Sequence, residues 1–296
     1  MKEKHTKQSF YEIIEDLNFF WRKYGCFILP SFDLEMGAGT YSSTTFLKVL
    51  GKGSWNIAYP QFSRRPSDGS YLTSLNKRQR FLQYQVLLKP APNGIQTIYL
   101  NSLQFLGINP TVADIKFIED NWESPILGAY GKGWEVWLNG IEVTQFTYFQ
   151  QMGDLLCNPI SCEITYGLER VTLFLQKNTT ISNLIWDNLY KKPIKYNIIF
   201  DKYELDMCYY NFDLANIEML LNFFTYLEIE CKKLLHFCIV EAAYEIIIKM
   251  THLFNLLESR AAFSQIEKKN YIVKIRRLSS CVAKIYFIQH NILNKL

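Results

Sequence analysis

Residues 134–149 read WEVWLNGIEVTQFTYF, and this stretch decides the fold class. Asn139-Gly140 lies between two strand-like runs. Asn-Gly is the strongest short hairpin signal, because both residues tolerate the positive φ of a type I′ turn. Pairing across that turn sets Leu138 against Ile141 and Trp137 against Glu142. Side chains alternate along a strand, so Val136, Leu138, Ile141 and Val143 fall on one face. Glu135, Trp137, Glu142 and Thr144 fall on the other. The apolar set belongs to a core, which places Glu135 and Glu142 together on the opposite face. Two acids on one strand surface suit Mg²⁺ bridging nucleotide phosphates, since that ion is usually held by one or two carboxylates plus substrate oxygens. An ordinary solvated sheet face is the other reading.

Toward the N-terminus, Ser9 and Glu12 form a capping box ahead of a helix. Its apolar face is Phe10, Ile13, Ile14, Leu17, Phe20, Trp21 and Tyr24, and Gly25 ends it. A strand is expected at 26–29 and another at 55–64. Residues 81–89 alternate, with Leu82, Tyr84, Val86 and Leu88 on one side and Gln83, Gln85 and Lys89 on the other. These last two strands read as an antiparallel pair joined by a long basic loop at 66–78, and loops of that length inside a compact domain are usually functional. A helix at 94–106 stops at Gly107, and a strand follows at 115–119. EITYGLER at 163–170 reads as a strand running into a helix. Residues 177–200 read as a connector with little periodicity. From about 212 onward the spacing is helical, with Met219, Leu220, Phe223, Phe224 and Leu227 in one stripe and Tyr271, Ile272, Ile275 and Leu278 in another. The fold class is therefore α+β: an antiparallel sheet flanked by helices, then a C-terminal helical bundle. The expected division is 1–195 and 196–296.

The chain has 296 residues, 49% hydrophobic and 20% charged, which is globular composition with length for a full core. A net charge of +4 is far from the footprint of a dedicated nucleic-acid binder. Seven scattered cysteines with no CxxC pair argue against a disulfide framework or zinc site, and for buried free thiols in a reducing cytosol. The N-terminal MKEKHTKQS lacks a signal-peptide core. Glu241 and Glu245 interrupt the longest apolar run, so no membrane span is expected. With four histidines and no Gly-rich phosphate loop, HExxH or GxSxG, His-centred catalysis is not expected.

Beside the hairpin acids, three groups could carry chemistry. Segment 63–81 holds Arg64, Arg65, Lys77, Arg78 and Arg80 against the single acid Asp68. An Arg on a rigid strand can bind a phosphate through two parallel hydrogen bonds, and the alternative is a solvated charged loop. Arg170 sits in the first turn of its helix, an unfavourable place for a cation. A local anionic partner is expected there, and a plain salt-bridged helix residue is the alternative. Glu119-Asp120-Asn121-Trp122, followed by Gly128, Gly131 and Gly133, could line a small polar pocket around a glycine-rich turn, or Trp122 could be a core residue with solvated neighbours. Taken together the residues read as a domain that binds a nucleotide through Arg and Mg²⁺.

The stretches DLEMGAGT (33–40), YPQFSRRPSDG (59–69), DIKFIEDNWESPILGAYGKGWEVWLNGIEVTQFTYFQQ (114–151), EITYGLER (163–170) and HLFNLLESRAA (252–262) resemble the α subunit of bacterial glycyl-tRNA synthetase. The resemblance runs over about 8–290. It implies a class II ligase of the cytoplasm that activates glycine with ATP and Mg²⁺ and passes the glycyl group to tRNA(Gly). It also implies an α subunit that pairs with itself and with a separate β subunit, as two α and two β chains. By motif, Arg64 with Arg65 beside it would hold the α-phosphate, Phe81 would stack on adenine and Gln85 would line the ATP site. Arg170 would meet the γ-phosphate and adenine, with Glu142 supporting ATP or Mg²⁺. Arg64 and Arg170 are the implied catalytic pair. Thr40, Gln83, Trp122 and Glu163 would form the glycine pocket. The chain departs from the family pattern at Pro30-Ser31, in the loop 69–77 (GSYLTSLNK for the family's GRYGENPNR), at Phe81-Leu82 and at Cys162. The competing implications are an amino-acid-activating enzyme that charges no tRNA, and a non-catalytic scaffold subunit.

Overall fold

A computed structural model describes residues 8–188 and 192–293. Helix α1 (Phe10–Tyr24) starts at the expected capping box: Ser9 Oγ accepts the Glu12 N–H, and Glu12 returns a bond to the Ser9 N–H. It is followed by β1 (Phe27–Ile28), a single turn α2 (Ser43–Phe46), β2 (Trp55–Arg64), β3 (Arg80–Lys89) and α3 (Ile95–Phe105). Next come β4 (Ile115–Ser124), β5 (Ala129–Leu138), β6 (Ile141–Met152), β7 (Leu155–Gly167) and α4 (Leu168–Gln176). Helices α5 (Tyr196–Tyr209), α6 (Ile217–His236), α7 (Val240–Ser259) and α8 (Gln265–Leu293) complete the chain.

The seven main strands form one sheet in the order β1-β2-β3-β7-β6-β5-β4. All neighbours are antiparallel except the short pair β1 and β2. Helices α1, α3 and α4 cover one face, where Tyr84, Val86, Val136, Phe146, Ile164 and Tyr166 join Ile13, Leu17, Trp21, Tyr99 and Val171 in a buried core. The other face changes character along its length. On β3 it carries Gln83 and Gln85, then Leu87 and Lys89, and all four are buried. At the apolar end Leu87, Ile57, Phe149 and Met152 pack with Phe224, Tyr244, Ile247, Ile275 and Val282 from α6, α7 and α8. At the polar end the face is open, and the cavity described below lies there.

Four details differ from the sequence reading. The Asn139-Gly140 hairpin has the expected register at Leu138↔Ile141 and Trp137↔Glu142, but a bulge follows, with Val136 opposite Thr144. Val143 and Thr144 therefore both turn to the core, and Thr144 accepts the Tyr99 hydroxyl at 2.8 Å. Glu142 and Glu135 are separated by the same bulge; Glu135 accepts the Trp137 indole N–H at 2.9 Å. Strand β4 extends to Ser124, so Trp122 is a strand residue, and Gly131 and Gly133 lie in β5 rather than in a turn. Helix α5 begins at Tyr196, inside the segment read as a connector. Its polar residues Asp201 and Glu204 point inward to partners in another segment, which erases any apolar stripe. On α6, Leu220 and Phe224 are buried as expected, while Met219 and Phe223 face outward.

All seven cysteines are unpaired, and five are buried; Cys238 and Cys281 are exposed. Among the described residues no helix is long and apolar enough to cross a membrane.

Gly133 brings β5 against β6 with no space for a side chain: a Cβ there would lie 2.1 Å from the Phe146 carbonyl oxygen. Backbone cannot yield as a flexible side chain can. Gly133→Ala is expected to cost about 2–3 kcal/mol, read as a lower urea midpoint at unchanged slope. An unchanged midpoint would mean the two strands can separate there freely.

Candidate active site

The polar end of the sheet carries a cavity of about 360 Å³. Strands β3, β6 and β7 form its floor, the segment 38–40 one wall, and the loop after β2 another. Eight of the ten residues singled out from the sequence line it: Thr40, Arg65, Phe81, Gln83, Trp122, Glu142, Glu163 and Arg170. Arg64 and Gln85 do not.

Glu163 is the centre of the arrangement. It stands on β7, opposite Leu87 of β3 and Thr147 of β6, and is only 3% exposed. Thr40 Oγ1 donates to its Oε2 at 2.6 Å, while its Oε1, also buried, has no protein partner. Burial pushes its carboxyl up to about 7; the hydrogen bond from Thr40 pulls the other way and loses. A buried acceptor aimed into a cavity calls for a donor, and a cation would satisfy it best.

Gln83 is oriented by its neighbours. Its Oε1 accepts both the Gly39 N–H at 3.0 Å and the Ser63 hydroxyl at 2.6 Å. Its amide NH₂ is thereby the end left for a ligand. Gln85, two residues on, accepts from Thr165 Oγ1 at 2.8 Å and lies against Gly39, beneath the cavity wall. Trp122 crosses from β4 to meet Phe149 of β6 edge-on at 5.6 Å. The residue between them on β5 is Gly131, which has no side chain to keep the rings apart.

The two neighbouring arginines diverge because consecutive residues on an extended chain point to opposite sides. Arg65 reaches the cavity: its Nε donates to the Gly37 carbonyl at 2.9 Å, and its guanidinium lies 5.2 Å from the Phe81 ring centroid. Arg64 turns away, paired with Glu35 and 6.0 Å from the Tyr203 ring. Glu35 in turn meets His252 Nε2 of α7 at 3.1 Å. Across the cavity, Arg170 Nη1 donates to both the carbonyl and Oε2 of Glu142 at 2.9 Å. Glu142 is the anionic partner that the helix position of Arg170 demanded.

The altered loop at 70–77 is docked. Tyr71 packs on Tyr209 and Phe212 and donates to Asp213 at 2.6 Å. Arg78, buried at 4% exposure, ties the loop carbonyls of Ser74 and Lys77 to the Ser182 hydroxyl and to Asp201. Asp68, Lys77 and Arg78 thus also line the cavity. The sequence reading missed Glu169, another lining residue, buried and pushed up to about 7 by its burial. An acid in the first turn of a helix looks satisfied by the helix dipole alone, so nothing local singles it out.

Among the described residues no group of three metal-ligating side chains occurs. Glu142 uses Oε2 for Arg170 and is one-third exposed. That donor set fits Mg²⁺ only as an ion held chiefly by phosphate and water oxygens.

Glu163 ties stability to pH with a definite sign. Its folded-state value, about 7, lies above the ordinary 4.5. Its contribution is therefore fully present below pH 4.5 and is lost as pH rises to about 7. Glu163→Gln removes that loss and is expected to be more stable than the parent by up to about 3 kcal/mol at pH 8, with little difference at pH 4.5. Urea midpoints at the two pH values read this directly. Glu169 titrates in the same window, so only the difference between variant and parent is informative.

Two solved structures of the pyrrolysyl-tRNA synthetase of Desulfitobacterium hafniense are similar to the chain, with TM-scores of 0.44 and 0.43 and identities of 11% and 13%. Each likeness covers 66% of this chain and 79% of the other, and is too remote to inform the assignment. The family model described as "Glycyl-tRNA synthetase alpha subunit" matches residues 10–291. That match includes every strand of the sheet and every residue of the cavity, and the chain therefore belongs to the glycyl-tRNA synthetase α-subunit family.

Proposed function

We propose that the chain activates glycine with ATP and passes the glycyl group to tRNA(Gly). The observation that carries this reading is Glu163, a buried carboxylate with one unpartnered oxygen inside the cavity. In this reading the α-ammonium of glycine donates to Glu163 Oε1, while Thr40 holds the opposite oxygen. The Gln83 amide NH₂ is available to the substrate carboxylate. Trp122 walls the pocket and excludes side chains by contact, which discriminates more strongly than affinity for a missing methylene could.

A glycine carboxylate oxygen attacks the α-phosphorus of ATP, the bond to pyrophosphate breaks, and glycyl-adenylate forms. The terminal ribose hydroxyl of the tRNA then attacks the glycyl carbonyl and releases AMP. Both steps need alignment and charge stabilisation rather than a covalent enzyme intermediate. Arg65, rather than Arg64, is the cation facing the cavity, and we assign it to the α-phosphate. Phe81, stacked with Arg65, offers its ring to the adenine. Arg170 would meet the outer phosphates, exchanging part of its contact with Glu142 for them. Mg²⁺ would neutralise phosphate charge, with Glu142 as its protein ligand. Gln85 takes a supporting place beneath the wall.

The modest net charge of +4 suits an α subunit that leaves most tRNA contact to a separate β chain and pairs with a second α chain. Residues 1–195 would be the catalytic unit and 196–296 the helical one. Exposed Cys238 and Cys281 suit a reducing cytoplasm. The non-catalytic alternative rests on the altered loop 70–77 alone, and it calls for retained ATP binding with no exchange.

Amino-acid-dependent ATP–pyrophosphate exchange, with and without a β subunit, tests the assignment, and glycine alone should support it. Silence toward glycine in a folded sample with β present would sink the reading. Arg65→Ala should lose about 10²–10³-fold in kcat/KM, and Arg64→Ala less than about tenfold; the reverse order would move the phosphate role to Arg64. Because glycine needs Glu163 ionised, its KM should rise about tenfold per unit as pH falls below about 7. Glu163→Gln should abolish that dependence and lose about 10²–10³-fold in activity.

A further inference from the structure

We propose that Glu169 and Glu204 are positioning residues for the nucleotide. Glu169 replaces the strand partner that β3 lacks at its start, Glu204 anchors the residue just before it, and together they fix Phe81 where it meets Arg65. This rests on the reading of the cavity given above.

Pairing between β3 and β7 begins only at Gln83↔Gly167. Before that point β7 has already turned into α4, so no backbone carbonyl stands opposite the first residues of β3. Their free N–H groups are taken by side chains instead. Glu169 Oε1, from the first turn of α4, accepts the Leu82 N–H at 2.8 Å. Glu204 Oε1, from α5, accepts the N–H of Gln79, the residue just before β3, at 2.8 Å. Phe81 lies between these two anchors, held on its other side by β2 through the pair Ser63↔Phe81. The Tyr196 hydroxyl donates to the same oxygen of Glu169 at 3.1 Å, so one atom joins β3, α4 and α5.

Both acids are almost fully buried, at 4% and 2% exposure, and burial raises both above the ordinary carboxylate range. An unbroken strand would satisfy the same N–H groups with no such cost. A continued strand, however, would lie about 4.8 Å from β3 along its whole length and fill the space beside Phe81. A glutamate reaches from a departing chain, satisfies the N–H and leaves that space open. Glu169 itself lines the cavity. The acceptor that holds the strand is thus part of the wall facing the ligand, and its loss should be felt at the Phe81–Arg65 end rather than at Glu163.

Two substitutions separate reach from charge. Glu169→Asp keeps the charge but withdraws the acceptor from Leu82 by one methylene. Glu169→Gln keeps the reach and an acceptor oxygen but loses the charge. The readouts are KM for ATP and for glycine in pyrophosphate exchange, and equilibrium binding of a non-hydrolysable ATP analogue without glycine. Glu169→Asp should weaken ATP and the analogue about five- to thirtyfold, with glycine KM within about twofold of the parent. Glu169→Gln should stay near the parent in all three. Equal weakening of ATP and glycine by Glu169→Asp, or a Gln variant as weak as the Asp variant, would overturn the proposal. If the parent binds the analogue but shows no exchange with glycine, the glycine reading fails. The analogue affinities of the two variants then decide this proposal by themselves.

Discussion

The structure turns on one expense, an almost fully buried carboxylate held on a central strand. Glu163 occupies β7 between β3 and β6, and one of its oxygens has no protein partner. Such a group destabilises the empty protein, and the fold tolerates it because the rest of the sheet is heavily buried. One face is closed by α1, α3 and α4, and the far end of the other by α6, α7 and α8. What remains uncovered is the patch around Glu163. The cavity is therefore the part of the sheet that the helices leave open, and its polarity follows from the residues β3, β6 and β7 present there.

Access to that patch depends on small irregularities. The bulge at Val143 turns Thr144 into the core, leaving Glu142 to face Arg170. Gly131 in β5 lets Trp122 reach across to Phe149. The early departure of β7 into α4 opens room beside Phe81 and forces two glutamates to hold the strand. Each irregularity breaks an ideal sheet at a place where the cavity needs a side chain re-aimed or a space kept free, which is where bulges and strand breaks acquire functional meaning.

Much of this was legible in the residues. The capping box at Ser9 and Glu12, the Asn139-Gly140 turn and the alternation of 81–89 are local patterns whose physics involves neighbours a few residues away. Eight of the ten candidate residues taken from the longer motifs line one cavity. Helix α5 was illegible for a physical reason. Two acids, Asp201 and Glu204, serving Arg78 and Gln79, share its inward side with the buried Tyr196 and Cys208 and break up the apolar stripe although the helix is firmly packed. The outward Met219 and Phe223 of α6 show the converse: apolar spacing identifies a helix without saying which of its apolar residues meets the core.

The sequence by itself determined where the strands occur, though not the full length of β4, β5 and β7, together with helices α1 and α3, the hairpin register at its turn, and the residue types available for chemistry. These depend on short-range alternation, capping and turn propensity. Only the tertiary structure decided that Arg65 faces the cavity and Arg64 does not, that Gln83 presents its amide NH₂ and Gln85 lies beneath, and that Glu169 and Glu204 complete β3. Those outcomes rest on partners 123 residues apart for Thr40 and Glu163, 125 for Gln79 and Glu204, and 87 for Leu82 and Glu169. No local pattern carries such pairings, because the energy that selects them, the cost of burying an unpaired polar group, exists only once the chain has closed around it.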